Sequence, residues 1–296
     1  MHSGPKYKGS YVALVTPMFD NGDIDFDSLA KLIDFHVESG TDGIVSMGTS
    51  GESATLDIDE QIEVIRKTVE LTAGRVPIIA GSGGNSTNEA LELTERSAEA
   101  GAEACLLVVP YYNKPTQHGL IAHFTLLAER VDIPQILYNV PGRTSLDMHN
   151  DTVVELSNVS NIVGIKDATA DIPRVGDFLS RCPEDFCILS GDDGTTLELI
   201  KAGGHGCISV TANVAPRLMH EMCAAALAGD LAEAERIDGK LRGLHDSLFI
   251  ESNPIPAKWA LASMGLMQSG IRLPLTPLSA SCHASVTKAM KEADVA

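Results

Sequence analysis

One lysine of this 296-residue chain stands where nucleophilic chemistry could take place. Lys166 ends the apolar run 162–165, which is typical of a buried β-strand. An amine at the end of such a strand loses part of its hydration, and this loss favours the neutral form that can attack a carbonyl carbon and form a Schiff base. The alternative is a lysine that only solvates the end of a strand.

Hydroxyl and guanidinium groups follow other predicted strands. The fifth predicted strand ends in Tyr138-Asn139, and a phenol close to the lysine can transfer protons during imine formation. Tyr112 could extend this relay. The turn 48–52 offers backbone N–H groups and two hydroxyls, which suit a carboxylate, although a plain tight turn explains its glycines equally well. Arg143 follows Pro-Gly on a predicted exposed turn and suits bidentate binding of a substrate carboxylate.

Other chemistry-bearing patterns are weaker. The glycine-rich stretch 81–84 lacks the G-K-[ST] ending of a phosphate-binding loop and has the wrong spacing for G-x-G-x-x-G. Asp192 and Asp193 have no histidine or further acid at a helpful spacing, and the histidines form no H-x-H or H-E-x-x-H pattern. We therefore expect no metal site.

Composition excludes some classes of partner. The net charge is −18, from 40 acidic and 22 basic residues, which opposes binding to nucleic acid or to an anionic membrane. The six cysteines show no C-x-x-C spacing and several lie in apolar runs, as buried reduced thiols do. The first ten residues contain no apolar signal-peptide core, and no run approaches a membrane span. A cytoplasmic protein is expected.

Eight short apolar runs predict strands that would position these side chains. They cover residues 11–15, 43–46, 77–80, 104–109, 134–139, 162–166, 186–190 and 206–210. Continuous apolar runs, rather than alternating ones, indicate strands buried on both faces, as in a parallel sheet.

Segments with helical periodicity separate the runs. Capping patterns open two of them, at Asp57 with Glu60 and at Ser86 with Glu89, and Gly40, Gly74 and Gly101 stand where helices should end. Eight βα units predict a (β/α)8 barrel, an α/β fold, over residues 1–228. An open doubly wound sheet is the alternative, but no dinucleotide fingerprint follows the first strand. Helical patterns at 231–248, 256–264 and 283–293 predict a C-terminal helical domain over 229–296.

Three motifs on three predicted strands carry a family resemblance. They are G-T-S-G-E at 48–52, Y-N-V-P-G-R-T at 138–144 and G-I-K-D-A-T at 164–169, and N-P-I-P follows at 253–256. With these motifs the chain resembles the dihydrodipicolinate synthase family of the pyruvate-dependent lyases, from about residue 9 to beyond residue 275. The resemblance implies a barrel with a C-terminal helical domain, assembled as a homotetramer of two tight dimers.

The resemblance also implies a reaction. Pyruvate would condense with L-aspartate 4-semialdehyde through a lysine Schiff base, in lysine and meso-diaminopimelate biosynthesis, without metal or organic cofactor. Lys166 would form the Schiff base, Tyr138 would shuttle protons through Thr49 to Tyr112, and Tyr112 would come from the neighbouring subunit. The remaining implied substrate-binding residues are Ser50 (with Thr49, for the pyruvate carboxylate), Arg143 (for the semialdehyde carboxylate), Gly191 and Ile208.

A lysine feedback site is a further implication. It maps onto Ala54, Asn85, Glu89 and Tyr111, which match the family pattern, whereas Ile58 and Gln61 replace frequent histidines. Within the catalytic motifs, Ser50 replaces a threonine, Asp167 a glutamate and Ala170 a glycine.

Related aldolases keep the lysine and the tyrosine but use other aldehydes, as N-acetylneuraminate lyase and 2-keto-3-deoxygluconate aldolase do. Arg143 favours an amino-acid carboxylate over a sugar hydroxyl. A non-catalytic binding protein on the same barrel is the alternative from another class, and a complete proton relay argues against it.

Overall fold

A computed structural model describes residues 4–295. Eight parallel strands form a closed barrel in which each strand pairs with the next along the chain and the first pairs with the last. The strands are β1 (Gly9–Ala13), β2 (Gly43–Ser46), β3 (Ile78–Gly81), β4 (Ala104–Val108), β5 (Gln135–Asn139), β6 (Ile162–Asp167), β7 (Cys187–Ser190) and β8 (Gly206–Ser209). The predicted (β/α)8 barrel is confirmed.

Helices connect the strands and follow the last one. They are α1 (Phe26–Glu38), α2 (Ile58–Thr72), α3 (Thr87–Glu99), α4 (Gln117–Arg130), α5 (Pro141–Thr144), α6 (Asn150–Leu156), α7 (Pro173–Arg181), α8 (Thr196–Lys201), α9 (Pro216–Leu227), α10 (Leu231–Ser247), α11 (Ile255–Ser263) and α12 (Ala280–Glu292). Short 3-10 turns cover Thr49–Gly51, Ser53–Thr55, Asp193–Thr195 and Thr211–Asn213. No helix within residues 4–295 is long and apolar enough to cross a bilayer.

The strand predictions hold to within two residues at either end. The first strand differs most, since it begins at Gly9 and ends at Ala13, where residues 11–15 were predicted. The apolar run continues to Val15, but its N–H already bonds to the Asn213 side chain at 3.0 Å instead of to a neighbouring strand. Asn213 also donates to the Ala13 carbonyl at 2.8 Å, so this buried amide joins the ends of β1 and β8.

Helix capping follows the sequence in one of the two predicted places. Asp57 and Glu60 form a complete capping box at the start of α2. At α3 the box is half made, because the Ser86 hydroxyl accepts from the Glu89 N–H at 3.4 Å while the Glu89 side chain lines a cleft instead. Gly40 and Gly74 lie just beyond α1 and α2 with φ of +85° and +72°, the left-handed geometry in which glycine is favoured.

The barrel interior is filled by side chains and is not a pore. Tyr11, Val45, Leu106, Ile136 and Leu189 belong to one buried cluster inside the strands. A larger apolar cluster lies between the outer faces of the strands and the surrounding helices. This packing fixes the strand ends, and with them the residues that follow each strand.

The last three helices add a layer to one side of the barrel. Helix α10 packs against α8 and α9, and α12 packs against α10 and α11. The segment before α11 reaches the ends of the strands, where Asn253 lines the cavity described next. The helices match the predicted ones, and the domain boundary at residue 229 stays a prediction.

Candidate active site

A cavity of about 150 Å3 opens at the carboxyl ends of the strands. It receives residues from several strands, from the turn after β2, from α5 and from the C-terminal layer. Its lining consists of Ala13, Val45, Gly48, Thr49, Ser50, Leu106, Tyr138, Val140, Arg143, Lys166, Ala168, Gly191, Asp192, Val210, Phe249 and Asn253. Six of the predicted catalytic and substrate-binding residues therefore meet in one cavity: Thr49, Ser50, Tyr138, Arg143, Lys166 and Gly191.

Lys166 and Tyr138 form the centre of this cavity. They lie side by side on neighbouring strands, with their Cα atoms paired in the register of β5 and β6. The Lys166 ammonium nitrogen lies 4.2 Å from the centroid of the Tyr138 ring, and both residues are less than 10% exposed. The amine and the phenol thus share a small, largely dry space, as imine chemistry with proton transfer requires.

The turn after β2 presents Thr49 and Ser50 to the cavity. Both belong to the 3-10 turn Thr49–Gly51, and Ser50 is buried. The Asn253 side chain, from the segment before α11, donates to the Ser50 hydroxyl at 3.0 Å and fixes its direction. Serine at this position keeps the hydroxyl that the resemblance requires, and the structure gives that hydroxyl a defined partner.

A buried ion pair between Glu52 and Lys258 adjoins the same turn. Glu52 adopts a left-handed backbone with φ of +60°, and its carboxylate contacts the Lys258 ammonium of α11 and accepts from the Arg272 N–H at 3.0 Å. Burial lowers the pKa of Lys258 and the adjacent Glu52 carboxylate opposes that shift. Since the side chains of Glu52 and Lys258 are 2% exposed or less, removing either partner would leave the other charge without compensation.

Arg143 stands at the mouth of the cavity. It belongs to the single helical turn α5 and is exposed, as the sequence predicted, with one weak contact of 3.4 Å to the Asn253 carbonyl. Because this guanidinium lines the cavity and has only that weak contact among the bonds of residues 4–295, its N–H groups could bind an incoming carboxylate.

Two further residues of the predicted substrate site lie at different depths. Gly191 follows β7 and lines the cavity beside the Lys166 side chain. Ile208 is 1% exposed and belongs to the interior apolar cluster, and Val210 is the residue near the end of β8 that lines the cavity. Ile208 therefore lies within the barrel packing.

The adjacent acids after β7 have structural partners. Asp192 accepts from the Thr195 N–H at 3.0 Å and from its hydroxyl at 2.7 Å. Asp193 accepts from the backbone of Val210 and Thr211 at 3.0 and 2.8 Å, and so ties the loop after β7 to the end of β8.

Tyr112 is separate from the cavity of its own chain. It is 89% exposed and has a left-handed backbone, with φ of +71°. A bulky residue held in that backbone geometry is unusual. The relay from Tyr138 through Thr49 to Tyr112 is not assembled within one chain.

A second cleft of about 530 Å3 lies next to the cavity and shares Thr49 and Arg143 with it. Ala54, Glu89 and Tyr111 of the predicted lysine site line this cleft, together with Ile58 and Gln61. The fourth residue of the predicted lysine site, Asn85, directly follows the lining residue Gly84 in the chain. The Asn85 carbonyl accepts a hydrogen bond from the Asn113 side chain. Gln61 uses its amide to bind the Ser53 and Leu56 carbonyls at 3.1 and 3.0 Å.

Two residues that follow Lys166, Asp167 and Ala170, differ from the family pattern. Ala170 has a left-handed backbone with φ of +59°, which explains why glycine suits this position. Asp167 points away from the cavity and lies 3.0 Å from the Arg174 guanidinium. Burial raises the pKa of Asp167 and the charge of Arg174 opposes that shift.

Sequence reasoning missed the contribution of the C-terminal layer to the cavity. Phe249 and Asn253 line it from the chain segment between α10 and α11. The N-P-I-P run at 253–256 was the available signal, since two prolines and an amide in a helical region mark a specific connection. Without the fold, nothing in the run pointed to Ser50, about 200 residues away.

Comparison with known proteins gives full-length matches. A model described as the dihydrodipicolinate synthetase family matches residues 6–293. The 4-hydroxy-tetrahydrodipicolinate synthase of Nitrosospira multiformis is 62% identical over 97% of this chain and 96% of its own length. A dihydrodipicolinate synthase from Acinetobacter baumannii, solved in complex with pyruvate, is 51% identical with a TM-score of 0.96, covering 98% of this chain and 99% of that one. The enzyme from Cyanidioschyzon merolae, solved with lysine bound, is 38% identical with a TM-score of 0.95, covering 98% and 99%.

Proposed function

The chain belongs to the dihydrodipicolinate synthetase family, and on that premise we propose that Lys166 and Tyr138 carry its reaction. That reaction is the condensation of pyruvate with L-aspartate 4-semialdehyde by a lysine Schiff base, in lysine and meso-diaminopimelate biosynthesis. The observation that carries the assignment of residues is the pairing of Lys166 with Tyr138 in the cavity.

The proposed chemistry follows from the positions of these groups. The Lys166 amine attacks the keto carbon of pyruvate, and loss of water gives an imine. Loss of a methyl proton then gives an enamine, whose carbon adds to the aldehyde. The amine of the second substrate attacks the imine carbon, closes the ring and releases Lys166. Tyr138, whose ring lies next to the Lys166 amine, would transfer protons in the steps at nitrogen and oxygen.

The two substrate carboxylates have separate candidate sites. Thr49 and Ser50 lie at the cavity wall and would hold the pyruvate carboxylate by hydroxyl and backbone N–H groups. Arg143 at the mouth would hold the carboxylate of the semialdehyde. In a chain of net charge −18, such a dedicated cation is what allows an anionic substrate to bind.

We further propose a homotetramer of two tight dimers in the cytoplasm. Tyr112 supports this, because it is almost fully exposed in one chain and the relay needs a phenol next to Thr49. Within the dimer each Tyr112 would enter the cavity of the neighbouring subunit. The proposal predicts that Tyr112→Phe lowers turnover in the assembled protein and leaves the activity of the separated single chain unchanged.

Feedback by lysine is proposed at the second cleft. Ala54, Glu89 and Tyr111 line a space that adjoins the active site through Thr49 and Arg143, and Glu89 provides a carboxylate for an amino group. A lysine titration tests this: inhibition in the millimolar range that Glu89→Gln weakens is expected, and unchanged activity would contradict it.

The substrate assignment is tested by measuring pyruvate consumption with aspartate 4-semialdehyde and, in parallel, with N-acetylmannosamine and glyceraldehyde. We expect turnover with the semialdehyde, and Tyr138→Phe should lower kcat by about 10²- to 10⁴-fold. Tyr11→Phe is the matched control, because Tyr11 is a buried barrel tyrosine outside the cavity lining. Preference for a sugar aldehyde would refute the assignment.

A further inference from the structure

The catalytic pair rests on two strands whose outward side chains are also joined. Successive residues of a strand point to opposite faces, so Tyr138 and Lys166 point into the barrel while Asn139 and Asp167 point outward. Asn139 and Asp167 are paired in the same register as the catalytic residues. A group that fixes the outer pair therefore fixes the backbone from which the inner pair projects.

Arg174 of α7 is in a position to do this. Its Nε lies 3.0 Å from Asp167 Oδ2, at the end of β6. Its Nη1 donates to both carboxylate oxygens of Asp147, at 3.0 and 3.1 Å. Asp147 in turn accepts from the Asn139 amide at 2.7 Å, at the end of β5. One guanidinium thus connects the ends of both catalytic strands.

Further bonds stiffen this cluster. Arg174 Nη2 donates to the Met148 carbonyl at 2.6 Å, and the Met148 N–H donates to Asn139 Oδ1 at 3.0 Å. The Asp167 carboxylate also accepts from the Thr169 N–H at 2.9 Å. The Nε contact with Asp167 is an ion pair without the direction of a hydrogen bond, since Nε lacks a well-aligned acceptor.

Most of the cluster is buried, and Asp147 is the most exposed of its three charged side chains. The side chains of Arg174 and Asp167 are 8% and 7% exposed, whereas that of Asp147 is 44% exposed. Asn139 is fully buried. Charged hydrogen bonds in such surroundings are stronger and more rigid than at a surface, and a lysine could not form all three of the guanidinium contacts.

We propose that Arg174 is a positioning residue for the catalytic pair: by joining Asn139 and Asp167 from outside the barrel, it sets the direction of Tyr138 and Lys166 inside it. Arg174 touches neither substrate nor reacting atoms, so it acts only through the geometry of β5 and β6. The inference depends on the roles proposed above for Lys166 and Tyr138.

Arg174→Gln and Arg174→Lys test the proposal in the full-length protein. A shift of the catalytic pair by a fraction of an ångström should lower kcat, by about tenfold to hundredfold in Arg174→Gln. The KM for pyruvate should change less, because Thr49 and Ser50 lie on the turn after β2, where Asn253 holds the Ser50 hydroxyl. Arg174→Lys should recover part of kcat through one ion pair. The pH profile of kcat should also change, since the environment of the phenol and amine differs.

Arg181→Gln is the matched control. Arg181 lies on the same helix and forms exposed ion pairs with Asp151 and Asp177, so its loss should leave kcat unchanged. If Arg174→Gln does not fold, Asp147→Asn replaces it, because this half-exposed residue forms the bridge from Arg174 to Asn139.

Two outcomes are distinguishable. If wild-type Lys166 is not trapped by borohydride with pyruvate, the proposed function fails. If wild type is trapped but a folded Arg174→Gln or Asp147→Asn keeps the wild-type kcat and pH profile, the positioning role is overturned. A lower thermal midpoint with unchanged kcat would likewise assign Arg174 to stability alone.

Discussion

A methyl group added at Gly191 should displace Lys166, the proposed Schiff-base lysine. A Cβ atom built there would lie 2.8 Å from Ala168 Cβ, 3.0 Å from Lys166 Cε and 3.2 Å from Lys166 Cγ. Carbon atoms in contact prefer about 3.5–4.0 Å, so the neighbours must move apart by about 0.5–1 Å. Ala168 Cβ is fixed to the backbone, so its contact is relieved only by a small backbone shift, whereas the contacts with Lys166 are relieved by movement of its flexible side chain.

The size of the effect follows from that displacement. A misplacement of about 1 Å can lower a rate by about 10²-fold, and overpacking costs about 1–3 kcal/mol of stability. The backbone at Gly191 lies outside the left-handed region, so Gly191→Ala adds contact strain and no conformational strain. We expect kcat to fall by about tenfold to hundredfold in a protein that still folds.

The assay combines steady-state kinetics with the rate of Lys166 trapping by pyruvate and borohydride. Gly194→Ala is the control, since it lies three residues further on and its added methyl would be 3.7 Å from the nearest atom, an ordinary contact. Wild-type kcat and trapping rate in Gly191→Ala would refute the geometry inferred for Lys166.

Three other predictions concern charge and stability. Lys258→Met should lower the free energy of unfolding in urea by about 3–5 kcal/mol, because it leaves the Glu52 carboxylate buried without its ion-pair partner. The double variant with Glu52→Gln should recover part of this loss. An equal loss in the single and the double variant would contradict the role of the pair. Burial lowers the pKa of His36 to about 3, so below pH 6.5 its imidazole takes up a proton in the unfolded chain before it does so in the folded one. The free energy of unfolding should therefore fall by about 1.4 kcal/mol per pH unit as the pH decreases from 6.5. His36→Gln should lack this contribution in urea unfolding at pH 5 and 7, and an unchanged pH slope would refute the assignment. Arg143→Lys should raise the KM for aspartate 4-semialdehyde by about tenfold while pyruvate trapping stays normal; equal effects on both substrates would count against its assignment to the second carboxylate.

Much of the fold was predictable because its signals are local. The apolar runs gave all eight strands, and glycines such as Gly40 and Gly74 gave helix ends, since left-handed geometry is a property of a single residue. The grouping of the predicted site residues at one end of the barrel followed from the predicted strands, because side chains at the carboxyl ends of parallel strands in a barrel converge. Thr49, Tyr138 and Lys166 meet in one cavity for that reason.

What could not be predicted depends on contacts between distant parts of the chain. Lys258 neutralises Glu52 across 206 positions, and Asn253 orients Ser50 across 203. Neither pairing leaves a periodicity or a spacing in the sequence. Glu89 shows how far a local pattern reaches, since the predicted bond from its N–H to the Ser86 hydroxyl is present while its side chain lines the cleft.

Trapping of the imine tests the central claim most directly. The protein is incubated with pyruvate, reduced with borohydride, digested and analysed by mass spectrometry. The reaction at Lys166 predicts one modified peptide, the one containing Lys166, heavier by the mass of pyruvate less one oxygen atom, and no such gain in Lys166→Ala. An unmodified Lys166, or the same gain on another lysine, would contradict the account.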